Sequence, residues 1–425
     1  MGNVKEIINK IYALQNFGVK LGLENTIKFL DLIGNPQLKL KCFHIAGSNG
    51  KGSTASFISS ILIENKFSTA LYTSPHFVRF NERIKINGKE VPDEFVTSFY
   101  LTHEEYILKN KLTFFEVTTA MAFKYFADNS VDYAVIETGL GGRLDATNVI
   151  NPLASVITSI SLEHTNILGN TIEEITKEKA EIIKPGTKVF LGNLPVESAI
   201  IIEKKCEDVG TELFYVDDFI IKREKFIELY TEELSMDRLD SPLKGYYQKY
   251  NAALAALTVN KTIHIYKPYY IQKGIENVVR NAGLQGRYEI FSNKPKLIMD
   301  SAHNPDGVKN FITEFVKESK AYKKKILLFT ALKDKDINRM LGHLKGVFDE
   351  IHVTEIDIER ASAIDEIAIK AAELDIPVIP EKDFLSFINN YLTDRESINS
   401  CLVILGSMYL LGEIKKSLLK INLDN

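Results

Sequence analysis

A short apolar run, a Gly- or Ser-containing turn and a helical pattern follow one another repeatedly along this chain. Residues 38–46 lead into 53–66, residues 131–137 into a glycine loop, and residues 153–160 into 171–184. Strands that alternate with helices build βαβ units, so the chain is expected to form an α/β fold on a mostly parallel sheet covered on both faces. The rhythm restarts near residue 294: 296–299, 325–330, 350–354, 377–380 and 401–405 are strand-like, with helical patterns between them. Two glycines in NAGLQGR (281–287) interrupt any regular element and mark the joint. The expectation is a parallel-sheet N-terminal domain over residues 1–285 and a smaller, doubly wound, Rossmann-like C-terminal domain over 286–425.

Composition adds exclusions. Apolar residues make up 45% and charged ones 25% of the chain, the balance of a globular protein and not of a disordered one. A net charge of −4 gives no global basic field to favour nucleic acid or an anionic membrane. An anionic ligand must therefore be held by local backbone NH groups and a few cations. No run approaches the ~20 apolar residues that span a bilayer. The N-terminal residues lack a signal-peptide core, and Glu6 stands where a myristoylation signal needs Ser or Thr. Cys42, Cys206 and Cys401 lie far apart and form no CxxC, so they read as reduced, buried side chains of a cytoplasmic protein.

The segment HIAGSNGKGST (44–54) follows a strand pattern and opens a helical one. A glycine loop in that context turns successive NH groups toward one point, and the helix N-terminus adds partial positive charge. Lys51 then reaches the outer phosphates of a nucleotide, while Ser53 or Thr54 faces metal or phosphate. The strict pattern is not met: Ile45 occupies the first glycine position and Gly52 follows the lysine. The segment is nevertheless expected to be a P-loop.

Three strands end in groups suited to a hard cation. Residues 69–73 run into Ser74, Pro75 and His76, residues 131–136 into Glu137, and residues 153–160 into Ser161, Leu162, Glu163 and His164. Ligands of an open parallel sheet bind beyond the carboxyl ends of its strands, which places these groups beside the phosphate loop. Mg2+ prefers oxygen, which singles out Glu137 and then Ser74; His164 is the unusual ligand of the three. Thr171 to Glu174 form a capping box, and Pro185-Gly186 is expected to end the helix. Lys179 shares the face of Ile172, Ile175, Ile182 and Ile183 on that helix. Its ammonium either reaches water past a packed stem or is desolvated, in which case the neutral amine becomes usable.

Together these segments resemble the folylpolyglutamate synthase/dihydrofolate synthase family, a branch of the Mur ligase superfamily, over residues 18 to 412. The markers are AGSNGKGS (46–53), YTSPHFVRFNERIKING (72–88), LTFFE (112–116), ETGLGGRLDATN (137–148), LEH (162–164) and EKAEIIK (178–184). YQKYNAALAA (247–256), GRYEI (286–290), DSAHNPDG (300–307) and GSMYLLGE (406–413) follow in family order. The resemblance implies an ATP-dependent ligase that joins L-glutamate to a folate or dihydropteroate carboxylate through an acyl phosphate. It implies ATP contacts from Ser48, Asn49, Gly50, Lys51, Gly52, Ser53, Asn251, Arg287 and Asp300, and metal binding by Ser74, Glu137 and His164. It further implies two Mg2+ sites, a monovalent cation such as K+, a carbamylated Lys179, and catalytic roles for Lys51, Lys179 and His303. Folate or pteroate contacts carry over to Lys20, Leu21, Gly22, Thr113, Phe115 and Asp145. The expected partners are these small molecules alone, with no nucleic acid or membrane, and the chain is expected to be a monomer. Glu163 replaces the common Asp before His164, Ser301 replaces a Gly, and Tyr247 stands where His is frequent. Two rival readings remain: a Mur-type ligase on a nucleotide-sugar precursor, opposed by the TSPH and LTFFE segments, and a nucleotide-gated switch or binding module, opposed by the lack of an Asn/Thr-Lys-x-Asp signature.

Overall fold

The structure is a computed structural model that describes residues 4–18 and 22–423. Contacts divide it into two units, Met1–Pro242 with Gln248–Leu284, and Leu243–Tyr247 with Gln285–Asn425.

In the first unit one sheet is built from β1 (Cys42–Ala46), β2 (Thr69–Tyr72), β3 (Ile84–Ile86), β4 (Lys89–Glu90), β5 (Tyr133–Glu137), β6 (Ala154–Ser159), β7 (Lys188–Asn193) and β8 (Leu213–Tyr215). Their order is β4-β3-β2-β5-β1-β6-β7-β8. Strands β2, β5, β1, β6, β7 and β8 are parallel, and the β3–β4 hairpin closes one edge in the antiparallel sense. β1 is buried at every position, as a central strand covered on both faces must be. A small antiparallel sheet of β9 (Ile220–Lys222), β10 (Ile227–Tyr230) and β11 (Ser235–Leu239) follows.

One core cluster packs Ile11, Phe29, Tyr100 and Phe123 from four N-terminal helices against Cys42, Tyr72 and Ile136 of the sheet. A second joins Ile175, Ile182 and Ile183 to Ile157 and Leu191. The helix Lys51–Glu64 buries Ser53, Thr54, Ser56, Ser59 and Ser60. Their small side chains admit the helix Pro268–Glu276 so closely that a Cβ on Gly274 would stand 2.5 Å from Ile61 Cα.

Two boundaries differ from expectation. The strand foreseen from residue 38 begins at Cys42, because Pro36–Lys39 close a 3-10 turn. The helix foreseen to residue 184 spans Ile172–Ala180. Ile182 N and Ile183 N then bond the carbonyls three residues back, and Asn148 and Ser155 side chains take the carbonyls of Glu181 and Ile182 at 3.3 and 2.8 Å. Side-chain donors from elsewhere in the fold thus end the helix before Pro185 is reached.

The second unit carries β12 (Glu289–Asn293), β13 (Lys296–Met299), β14 (Lys324–Phe329), β15 (Glu350–Val353), β16 (Ile379–Pro380) and β17 (Ser400–Leu405) in the order β12-β13-β17-β14-β15-β16. Only β12 is antiparallel, so the unit is doubly wound as expected. Phe311, Phe315, Met340 and Val403 lie in its core. All three cysteines are free and buried. Among the described residues no helix is long and apolar enough to cross a membrane.

The far end of the phosphate-loop helix is tied down by a buried carboxylate. Glu64 accepts from Asn277, Asn281 and Arg280 at 3.0, 3.0 and 3.1 Å. Burial pushes its carboxyl up, but these donors and Lys273 outweigh burial and hold it below the usual range. Glu64→Ala should cost roughly 2–3 kcal/mol by stranding those amide donors. Because the folded carboxyl sits below its unfolded value, the contribution is present above the unfolded pKa and lost as pH falls through the folded one. Urea unfolding at neutral and acid pH measures both effects; an unchanged midpoint at neutral pH contradicts the assignment.

Candidate active site: the phosphate loop and the strand ends around it

The loop between β1 and the helix Lys51–Glu64 is braced against the end of β6. Ser48 N donates to Ser159 O at 2.8 Å, Asn49 N to Ser159 Oγ at 2.8 Å, and Ser161 N to Ser48 Oγ at 2.9 Å. Thr158 Oγ1 returns a bond to Asn49 O at 2.6 Å. The NH groups of Ser48 and Asn49 are therefore spent on the fold. Donors for an anion come from further along: the first helical bond runs from Thr54 N to Gly50 O, so the NH groups of Lys51, Gly52 and Ser53 precede the ladder at the positive end of the helix. Gly50 enters this turn with φ of 87°, in the left-handed region. A Cβ there would also fall 2.8 Å from Asn251 Oδ1, which places Asn251 against the loop.

Lys51 Nζ donates to the carbonyls of Gly47 and Ser48 at 2.7 and 3.1 Å. Lys179 Nζ donates to the same Gly47 carbonyl at 3.0 Å and to Glu163 Oε1 at 2.9 Å. Its side chain is 1% exposed and that of Glu163 7%, so of the two fates left open for this lysine, desolvation is the one observed. Burial pushes the Lys179 ammonium below its usual range, and the Lys51 charge adds to this against the pull of Glu163. Burial also raises Glu163, but Lys179 and Lys51 outweigh it and hold the carboxyl well below the usual range.

Glu137 ends β5 with its side chain buried. Ser74 N donates to Glu137 Oε2 at 2.9 Å, and a Cβ on Gly52 would stand 3.4 Å from Oε1, so the carboxylate lies beside the phosphate loop. Ser53 Oγ and Thr54 Oγ1 are buried without a hydrogen-bond partner among the described residues. His164, next to Glu163, holds a left-handed φ of 48°. Among the described residues no three His, Cys, Asp or Glu side chains gather as a metal cluster. One carboxylate with hydroxyls nearby fits Mg2+, which usually keeps waters and phosphate oxygens as its other ligands.

The glycine-rich loop after β5 folds around Asp145. Its carboxylate accepts from Leu140 N at 2.7 Å, Thr147 N at 3.0 Å and Thr147 Oγ1 at 2.5 Å. Burial pushes this carboxyl up, and these donors oppose the shift. Phe115 lies flat against the loop: a Cβ on Gly139 would stand 2.8 Å from Phe115 Cε1. Thr113 caps the helix Phe114–Asp128, accepting from Glu116 N at 3.3 Å. Phe115 and Asp145 thus share one wall. Lys20 and Leu21 lie outside the described residues; Gly22 precedes the helix Glu24–Leu32.

In the second unit Asp300 is buried and accepts from Tyr288 N at 2.6 Å and Ala302 N at 2.8 Å. Burial raises its carboxyl while Arg287 pulls it down. Arg287 donates to Gly286 O at 3.1 Å and to the hydroxyl of Ser301, so the replacement of Gly by Ser supplies a partner for the guanidinium. His303 Nδ1 donates to Ser301 O at 2.8 Å, which fixes the ring tautomer.

Sequence reasoning missed the residues that brace the loops: Thr158, Ser159, Thr147 and His44. Two consecutive hydroxyl residues at the end of a strand beside the phosphate-loop strand were the available signal.

A match to the Mur ligase middle domain covers residues 45–259, and one to the Mur ligase glutamate ligase domain covers 286–408. The chain therefore belongs to the Mur ligase family, whose folylpolyglutamate synthase/dihydrofolate synthase branch consists of ATP-dependent amide-forming ligases. Within that branch, it is 34% identical to a dihydrofolate synthase/folylpolyglutamate synthase of Bacillus subtilis, over 96% of this chain and 97% of that protein. Its fold is similar to a folylpolyglutamate synthase crystal structure from Thermotoga maritima, with a TM-score of 0.82, 31% identity and coverage of 97% and 96% of the two chains. A Mycobacterium tuberculosis folylpolyglutamate synthase complexed with ADP gives a TM-score of 0.87 at 28% identity, over 97% of this chain and 98% of that one.

The buried pair yields a stability prediction. With Lys179 unmodified, Glu163→Ala strands its charge and should destabilise the protein by about 3–5 kcal/mol, whereas pairing it with Lys179→Met should recover most of the loss. Thermal melts of the single and double variants check this; equal losses in both contradict the pairing.

Proposed function

We propose that this chain uses ATP to join L-glutamate to a folate or dihydropteroate carboxylate through an acyl phosphate. The observation that carries this reading is the phosphate loop with Lys51 on one side and the Glu137 carboxylate facing Gly52 on the other. In the reaction the substrate carboxylate attacks the γ-phosphorus and ADP leaves. The glutamate amine then attacks the acyl carbon, phosphate leaves, and the amine sheds a proton. Lys51 and the NH groups of residues 51–53 stabilise charge on the transferring phosphoryl group, which is the main electrostatic task in such chemistry.

Ser74, Glu137 and His164 are assigned to Mg2+, which would neutralise phosphate charge when bound. Asn251, Arg287 and Asp300 are assigned to the nucleotide, and His303 to the glutamate-ligating step. Thr113, Phe115 and Asp145 are assigned to the pterin: an aromatic face for the ring and a carboxylate for its NH groups. The N-terminal domain then carries the phosphate loop and the pterin residues, the C-terminal domain supplies Arg287, Asp300 and His303, and the chain works as a monomer. A carbamate on Lys179 belongs to the same reading, since a buried amine with a lowered pKa reacts with carbon dioxide and Glu163 would release it; a second Mg2+ and a monovalent cation follow from that anion.

Lys51→Ala and Glu137→Ala should each lower ligation on the order of a hundredfold or more without unfolding the protein. Coupled ADP release measures it: wild type should release ADP only when both the pterin acid and glutamate are present, and near-normal turnover by either variant removes that residue from the mechanism. Side-by-side assays with dihydropteroate and tetrahydrofolate decide between the two synthase activities. For the carbamate, small carboxylates should partly restore Lys179→Ala; full activity in the unsupplemented variant contradicts the modification.

A further inference from the structure

His44 occupies the middle of β1, opposite Ile136 of β5 and Ser155 of β6, and is 0% exposed. An imidazole in a strand that otherwise reads Cys, Phe, Ile and Ala carries a desolvation cost that a plain core residue would avoid. Its Nε2 lies 2.8 Å from Thr147 Oγ1, and Thr147 Oγ1 donates to Asp145 Oδ1 at 2.5 Å. Thr147 has a single hydroxyl proton, which goes to the carboxylate, so the hydroxyl must receive from His44 and Nε2 carries the ring proton. Nδ1 is then a bare acceptor, and it is the buried ring atom with no partner among the described residues. An unpaired acceptor there is less costly than an unpaired N–H. Burial, with Lys184 adding to it, pushes the imidazole down to about 3, so the ring stays neutral at working pH. The result is a one-way chain of donors ending on Asp145.

We propose that His44 is a positioning residue for the pterin-bearing substrate: through the Thr147 hydroxyl it fixes the carboxylate of Asp145 in the wall that Phe115 and the glycine-rich loop complete. This rests on the assignment of Asp145 to the pterin. The chain clamps Oδ1 from behind, with Thr147 N adding a second bond at 3.0 Å, so the carboxylate cannot swing about its Cβ–Cγ bond. Without His44 the Thr147 hydroxyl loses the donor that fills its lone pair and orients it, which weakens its hold on Asp145. The phosphate loop keeps its own braces on Ser159 and Ser161, so the nucleotide half of the site is unaffected.

Steady-state kinetics of the full chain, with dihydropteroate and ATP varied separately, tests this. His44→Leu and Thr147→Val should raise KM for dihydropteroate about tenfold, the worth of one well-placed hydrogen bond. KM for ATP should stay within about twofold, the split expected when only one substrate's binding is touched. Thr147→Ser keeps the relay, and His44→Gln offers an N–H near the imidazole Nε2 position; both should recover the wild-type value. If His44→Leu fails to fold, Thr147→Val carries the test. An unchanged KM for dihydropteroate in Thr147→Val, or a rise in both KM values together, overturns the relay. Asp145→Asn separates the two layers: if it leaves KM for dihydropteroate unchanged, the pterin assignment fails, whereas if it alone raises KM, only the role of His44 fails.

Discussion

Two lysine ammonium groups converge on one carbonyl oxygen, that of Gly47, at 2.7 Å from Lys51 and 3.0 Å from Lys179. Two cations sharing a neutral acceptor repel each other, and inside a protein that repulsion is poorly screened. The arrangement holds because Glu163, itself desolvated, places a carboxylate 2.9 Å from Lys179. The three charges come from three separate stretches: the start of the helix Lys51–Glu64, the loop after β6, and the helix Ile172–Ala180. Only a sheet with β1 beside β6 brings them together, so the parallel order and the buried charge set imply each other. The extra methylene of Glu163 relative to Asp lengthens its reach in this contact.

From that constraint the division of labour in the loop follows. The NH groups of Ser48 and Asn49 are spent holding the loop to Ser159, which costs two anion donors but fixes the direction of the next ones. A preorganised cradle needs no reorganisation when charge develops on a transferring phosphoryl group, and that is where electrostatic stabilisation is largest. On the other side of β1, β5 delivers Glu137 to Gly52, and the loop after it is latched to Lys179's helix. Arg143 N donates to Glu178 O at 2.8 Å, and Gly142 packs so close to Lys179 that a Cβ would fall 3.0 Å from its Cα. The loop that follows the carboxylate proposed for metal is therefore packed against the backbone that carries the buried lysine.

Much of this was legible in the sequence, for identifiable reasons. Parallel strands buried on both faces appear as continuous apolar runs, and the phosphate loop is contiguous, so both left local traces. Glu137 stood out because it sets an oxygen donor suited to Mg2+ directly at the end of such a run. The braces were not legible: Ser159 acts on Asn49 across 110 positions, and His44 on Thr147 across 103. A hydrogen bond between distant strands has no period. His44 inside CFHIA therefore read as part of an ordinary core strand, and the end of the helix at Ala180 depended on Asn148 and Ser155. For Lys179 the helical spacing placed it on the apolar face, but only the surrounding packing decides between a solvated tip and a buried charge.

On the proposed function, one braced loop with Glu137 beside it receives the phosphates. The most direct measurement is a crystal structure of the protein with a non-hydrolysable ATP analogue and Mg2+. Phosphate oxygens should lie against the NH groups of Lys51, Gly52 and Ser53, with Lys51 Nζ turned from the Gly47 carbonyl toward them and the Glu137 carboxylate beside the metal. Phosphates bound elsewhere, with Lys51 still on Gly47 and Glu137 remote from the metal, would contradict it.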